Sequence, residues 1–321
     1  MRRAGVGRGS DAVYHVVSRV CGREFLLTDV EKEAFRGLLG RVAGFCGVEV
    51  ITFALLDNHF HLLIEVPGRV GDLSDGELLQ RASLLYGKER RGQPLSMARI
   101  QAALSAGGEV REAMRKLLMG RMASLAMFMK ILKQRYSIRF NRRYDRVGTL
   151  WEGRFRSVLV ENSRAALRAV GAYIDLNPVR AGRVSDPKDY RFSGYGEAIG
   201  SGEANGYPLW PRIAKYRDEA QERIAAHYRE YLYVAGSDPR KGRSFDADEV
   251  EAVRRRKGDL TGLQSLICRL RYMTEGAVIG TKGFVAEWMR ERQAHSGTRK
   301  RSQPTLVHGL DNDLYAGSPR V

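Results

Sequence analysis

Two of the six histidines in this 321-residue chain sit in one tripeptide, His59-Phe60-His61. In an extended strand successive side chains alternate between faces, so both imidazoles point one way and Phe60 the other. Their Cβ atoms then lie about 7 Å apart, close enough to share one divalent ion. A lone His-x-His pair is more often structural than metal-binding. Here the neighbours fix its orientation: Phe60, Leu62, Ile64 and Val66 form a continuous apolar face, leaving His59 and His61 opposite with Leu63 and Glu65.

A second constellation lies in YIDLNPVRAG, where Tyr173 and Asn177 are four residues apart at the end of an expected helix and so share a face. A tyrosine beside a divalent ion and a basic groove can attack a phosphodiester, the ion polarising the phosphate oxygens and stabilising the charge that builds up. A free phenol ionises only near pH ~10, so it must lose its proton as it attacks. The plainer reading is that Tyr173 continues the stripe Ala166, Ala169, Val170 into the core. With fourteen tyrosines in the chain, residue type alone leaves both readings open.

Charge indicates the substrate class. The chain carries a net charge of +17. Between Arg111 and Arg156 stand thirteen basic residues against three acidic ones, more than half of the whole excess. Such clustering points to a polyanion, with nucleic acid the leading candidate. Within it, Arg139, Arg142, Arg143 and Arg146 alternate with Phe140 and Tyr144 and suit phosphates and stacked bases. Arg154 and Arg156 flank a strand and could line a DNA channel, while Trp151 and Phe155 in LWEGRF could stack on bases but are better placed as buried residues. Three widely spaced cysteines suggest neither a disulfide framework nor a zinc knuckle. No signal peptide or membrane span is expected, which leads us to place the protein in the cytoplasm, on the nucleoid.

The elements that position these residues follow from periodicity. AVYHVVSRV predicts a strand, 28–47 a helix ended by Gly47, and VEVITFALL and HFHLLIEVP two more strands joined by a turn at Asp57-Asn58. That is the first half of a ferredoxin-like α+β layout, an antiparallel sheet with helices on one face. Residues 68–110 read as a helical insertion, 112–136 as one basic amphipathic helix, and SIRFNRRYDRVGTLWEGRFRSVLVE as a loop and a strand ending near Glu161. The helix RAALRAVGAYIDLN is capped by Asn162-Ser163 and stopped by Pro178. A boundary near 200 precedes a mainly helical extension, 201–321, with helices expected in DADEVEAVRRRKGDLTGLQSLICRLRYM and TKGFVAEWMRERQA and a disordered tail after Ser296. His15 sits one strand over from the pair and reads as structural; His227, His295 and His308 show no partners.

In order, NHFHLL, GTLWEGRFRSVLVE, YIDLNPVRAG and DYRFSGYGEA resemble the motif series of the REP-associated tyrosine transposases, of the single-tyrosine HUH superfamily. The resemblance runs over residues 12–200. It implies that His59 and His61 bind Mg²⁺ or Mn²⁺, that Asn177 completes the coordination, and that Tyr173 is the nucleophile. The product would be a 5′-phosphotyrosine link with a free 3′-OH on single-stranded DNA bearing hairpin repeats. The protein would act as a monomer or homodimer. Asp57 stands where the family commonly has proline, and an aspartate can make the same turn. Two further readings are a domesticated protein that binds hairpins without cutting, and a basic ferredoxin-like RNA-binding module. The second leaves the histidine pair unexplained.

Overall fold

Four strands form one antiparallel sheet: β1 (Ala12–Arg19), β2 (Glu49–Leu55), β3 (His59–Val66) and β4 (Arg156–Val160). Their order is β2-β3-β1-β4, the ferredoxin-like arrangement the sequence predicts. This computed structural model describes residues 10–87, 95–201, 207–214, 219–237, 244–260, 278–280, 282–283, 286, 290, 305–306 and 315–317. β1 pairs with β3 along its whole length, Val17 opposite His61 and Arg19 opposite His59. It pairs on its other side with β4, His15 opposite Val158 and Val17 opposite Arg156. The β2–β3 pairing shifts register between Val50 and Thr52.

Two helices cover one face. α1 (Asp29–Cys46) ends at Gly47, whose left-handed φ of 66° lets its N–H reach the Ala43 carbonyl. α5 (Leu125–Arg143) lies beside it. Phe60 meets Phe35 of α1 at 4.8 Å and Trp151 at 5.4 Å, and Phe35 meets Tyr136 of α5 at 5.0 Å. This aromatic cluster buries the Phe60 face, which is what turns the histidines the other way.

The insertion folds as α2 (Asp75–Ser83), α3 (Met97–Ser105) and α4 (Gly108–Met119). The single helix expected over 112–136 is two helices, α4 and α5. The break follows Gly120: Ala123 adopts a positive φ of 48°, its N–H bonds to the Cys46 carbonyl, and Ser124 caps α5 by accepting from the Met127 N–H. After β4 comes α6 (Arg164–Asp175), with Ser163 Oγ accepting from the Ala166 N–H. α6 ends at Asp175, before Pro178, which instead opens the short α7 (Asn177–Arg180), where a proline ring costs no hydrogen bond.

The chain divides into two compact units, 1–174 and 175–321. The division falls inside YIDLNPVRAG, upstream of the change in composition near residue 200. The second unit contains α8 (Gly194–Ser201), α9 (Leu209–Ile213), α10 (Gln221–Gly236) and α11 (Ala247–Arg255). Two buried polar clusters hold it. Asp175 accepts from the hydroxyls of Tyr207 (2.5 Å) and Tyr228 (2.6 Å), and Asp186 pairs with Arg229 (2.6 Å) and accepts from Tyr233 (2.8 Å). His227, expected to lack a partner, lies 3.1 Å from Glu219. A small sheet of β5 (Val278–Gly280), β6 (Thr305–Leu306) and β7 (Tyr315–Gly317) includes two strands in the tail expected to be disordered. The helices expected beyond α11, over 261–273 and 281–294, fall largely outside the described residues, as do His295 and His308.

Candidate active site

The site is built on the face of the sheet opposite the Phe60 cluster. Asp57 and Asn58 turn the chain into β3, and each is held. Asp57 pairs with the buried Lys32 ammonium at 2.6 Å, and its carbonyl accepts from the Leu27 N–H. Asn58 donates from Nδ2 to the Arg23 carbonyl at 3.0 Å, and its own carbonyl accepts from the Val20 N–H. Asn58 Oδ1 lies 2.6 Å from His59 Nδ1. An amide oxygen only accepts, so Nδ1 of His59 carries the proton and Nε2 presents its lone pair.

His61 is buried and lies between its neighbours: its ring centroid is 5.1 Å from that of His59 and 5.2 Å from that of His15. His15 Nε2 and His61 Nδ1 are 2.9 Å apart, so one proton lies between them. When His61 Nδ1 donates it, Nε2 of His61 is free as a ligand atom. An outer-shell acceptor of this kind fixes the tautomer of a metal-binding imidazole. The pair therefore fits a divalent ion as a two-nitrogen donor set. Among the described residues no group of three or more His, Cys, Asp or Glu side chains could hold a metal, so further ligands would be amide, water or substrate oxygen.

Electrostatics keep the imidazoles neutral, as ligation requires. Burial, then the Arg19 guanidinium beside it, lowers the His59 pKa to about 4. Burial, then His59, His15 and Arg19, holds His61 well below its ordinary range. Burial alone lowers His15.

Tyr173 stands over this cluster. Its ring is edge-on to His15 at 5.7 Å and to His61 at 5.8 Å, and the side chain is 45% exposed. The core reading of Tyr173 is thereby overturned: α6 buries Leu167, Gly171, Ala172, Ile174 and Asp175, not the stripe through Ala166, Ala169 and Val170. Asn177 begins α7 in the second unit, one turn of chain beyond Tyr173.

The arginines separate into two groups. Arg156 faces the histidine side, since it is in register with Val17, which is itself opposite His61. Arg154 is exposed in the loop before β4. Arg139, Arg142 and Arg143 belong to α5, on the Phe60 side of the sheet. Arg139 is 2.7 Å and Arg143 3.4 Å from the carboxylate of Glu31, which is completely buried and also accepts from the Tyr136 hydroxyl. Arg146 stacks over Phe140 at 5.8 Å. Phe140 is 2% exposed, so it is a core residue and offers no ring for base stacking, and Trp151 is likewise buried.

Sequence reasoning undervalued His15 and missed Arg19 and Asn58. Alternation along β1 places His15, Val17 and Arg19 on one face, but only the β1–β3 register shows that this face is the histidine face.

Comparison with known proteins bears on this N-terminal half of the site. Residues 9–72, which include β1, β3 and both histidines but not Tyr173, match the family model described as "Transposase IS200 like". No curated protein matches the chain. Among solved structures, a REP-associated tyrosine transposase bound to a REP hairpin is similar at 16% identity, over 68% of this chain and 93% of that one, with a TM-score of 0.40. A protein from Deinococcus radiodurans R1, provisionally assigned as a transposase, aligns at 15% identity over 53% of this chain and 95% of that one, with a TM-score of 0.27. At such scores these structures add no functional weight, which rests on the family match and the site.

Proposed function

We propose that the chain is a metal-dependent transposase that cuts and rejoins single-stranded DNA beside hairpin repeats through Tyr173. The observation that carries this reading is the seating of an exposed tyrosine against two neutral, hydrogen-bonded histidines, His15 and His61, whose strands belong to the segment matching the transposase family.

His59 and His61 would hold the ion through their Nε2 atoms, with Asn177 as a candidate third ligand. Two nitrogen donors favour Mn²⁺ over the harder Mg²⁺. The bound ion would draw charge from the scissile phosphate. Asn58 and His15 keep the two imidazoles in the ligating tautomer. Tyr173 Oη would attack phosphorus in line with the P–O3′ bond, forming a 5′-phosphotyrosine as that bond breaks. The phenolic proton is lost to solvent, and the leaving 3′-oxygen takes up a proton to become a free 3′-OH. Rejoining reverses these steps with an incoming 3′-OH. Arg19 and Arg156, on the histidine face, are placed to receive the cut strand, while Arg139, Arg142, Arg143, Arg146 and Arg154 would contact DNA elsewhere.

The test is incubation with single-stranded DNA carrying a hairpin, with and without Mn²⁺. Wild type should form a denaturation-resistant protein–DNA adduct that a chelator suppresses. Tyr173→Phe removes only the attacking oxygen and should bind with wild-type affinity and form no adduct. Cleavage by Tyr173→Phe would defeat the assignment. Tight binding by wild type without any adduct would favour a hairpin-binding protein that no longer cuts.

A further inference from the structure

The Leu56 N–H donates to the His59 carbonyl at 2.8 Å, so the loop that delivers His59 to β3 is two residues long, Asp57-Asn58. Two-residue hairpin loops ordinarily place one or both of their residues at positive φ, which matches the twist of the strands they join. Among the described residues, positive φ outside glycine is confined to Arg23, Ala123, Asp145 and Lys257. Neither loop residue has it. The loop lacks the local geometry that would hold it unaided, and contacts from other segments hold it instead.

Four such contacts converge on these two residues. The Leu27 N–H donates to the Asp57 carbonyl and the Val20 N–H to the Asn58 carbonyl, both at 2.8 Å. Arg23, at a φ of 57°, presents its carbonyl to Asn58 Nδ2 at 3.0 Å. Lys32 sets its ammonium 2.6 Å from the Asp57 carboxylate and 3.1 Å from that of Asp29. Helix and core stability do not explain this lysine. It is the fourth residue of α1, at the positive end of the helix dipole, where a cation is disfavoured. Its side chain is 5% exposed and that of Asp57 14%, so both charges are largely desolvated. A pair of this kind adds little stability over apolar residues of similar size. What it does supply is a fixed link from the first turn of α1 to the residue before Asn58.

We propose that Lys32 is a positioning residue for the ion site. Clamped to Asp57, it fixes the loop so that the Asn58 amide oxygen meets His59 Nδ1 and Nε2 is left for the ion. The relay is short: one peptide joins Asp57 to Asn58, and Asn58 Oδ1 lies 2.6 Å from His59 Nδ1. With Asp57 released, the amide oxygen loses its fixed direction and His59 populates both tautomers. The inference rests on the reading of His59 as an ion ligand and adds the element that presets it.

The test compares the full chain with Lys32→Met, which keeps a long buried stem without the charge, and with Lys32→Met/Asp57→Asn, which removes both charges of the pair. Three quantities are read: the urea unfolding midpoint, Mn²⁺ affinity by calorimetry, and the imidazole nitrogen chemical shifts of His59 in the metal-free protein, which report its tautomer. Lys32→Met should lower the midpoint, weaken Mn²⁺ binding about 10- to 100-fold, and move the shifts from the Nδ1–H form toward a mixture. The double variant should recover the midpoint, because removing both partners of a buried pair is close to neutral, yet keep the weakened affinity and the mixed shifts. It also carries the test if Lys32→Met folds poorly. Wild-type affinity and shifts in both variants overturn the proposal. Recovery of midpoint, affinity and shifts together in the double variant overturns it too, since the pair would then serve stability alone. Absence of Mn²⁺ binding in wild type defeats the ion reading by itself, because the tautomer is read without metal.

Discussion

His59 gives the clearest quantitative handle on the site, because its pKa of about 4 has a stability consequence. An unfolded histidine takes up a proton near pH 6.5, whereas folded His59 resists it until about pH 4. Between those values the unfolded state binds one more proton, so unfolding free energy rises with pH by about 1.4 kcal/mol per unit. The contribution is fully present above pH 6.5 and is lost as the pH falls toward 4. Over the window it amounts to about 3 kcal/mol, an upper figure because the ring is partly exposed. Urea unfolding midpoints from pH 4 to 7 should therefore climb more steeply in wild type than in His59→Gln. Identical pH slopes in the two proteins would refute the assignment of a desolvated, neutral His59, and with it the argument that the pair is preset for ligation.

Three other outcomes follow from particular contacts. His15→Leu removes the acceptor for His61 Nδ1 and should weaken Mn²⁺ binding about 10- to 100-fold by calorimetry, while His15→Gln, which restores an acceptor oxygen, should recover much of it; equal affinities in all three proteins would separate His15 from the metal. Glu31→Ala removes the buried carboxylate that Arg139 and Tyr136 share, leaving the Tyr136 hydroxyl only the residue-31 carbonyl, and should cost about 2 kcal/mol in denaturant unfolding, and a loss below about 1 kcal/mol would mean that the pair is replaced by water. Tyr228→Phe leaves buried Asp175 without one of its phenolic donors and should cost about 2 kcal/mol, whereas an unchanged midpoint would show the bond adds nothing to stability.

Most of the sheet was legible in the sequence because each strand carries a β-branched or alternating signature, and the Asp57-Asn58 turn sits between two of them. The histidine pair was legible for the same reason: its neighbours declare which face is core. What failed to show were features set by pairing across the chain. Whether His15 meets His61 depends on the β1–β3 register, and nothing local to either strand specifies it. The break between α4 and α5 was hidden because apolar spacing continues through Met122 and Leu125, and the backbone turns on Ala123, a residue type that seldom adopts positive φ. The basic segment was legible as charge but not as geometry. Helical spacing puts Arg139 and Arg143 on one face, yet only the fold reveals that Glu31, more than a hundred positions earlier, lies buried beneath them.

The placement of Tyr173 also explains why residue type could not decide its role. On α6 the buried positions are Leu167, Gly171, Ala172, Ile174 and Asp175, so Tyr173 lies between buried neighbours and is carried out of the core on the helix shoulder. Two residues on, the same helix ends in Asp175, whose carboxylate is buried and accepts from Tyr207 and Tyr228. Burial and then the adjacent Asp175 charge hold the Tyr228 pKa well above its ordinary value, so this phenol remains a donor. A helix end is ordinarily the part that frays. Here the residue two beyond the tyrosine is anchored through its side chain by two hydrogen bonds. A nucleophile needs an exposed oxygen on a fixed backbone. Buried Ile174 beside exposed Tyr173 would meet both needs in the proposed role.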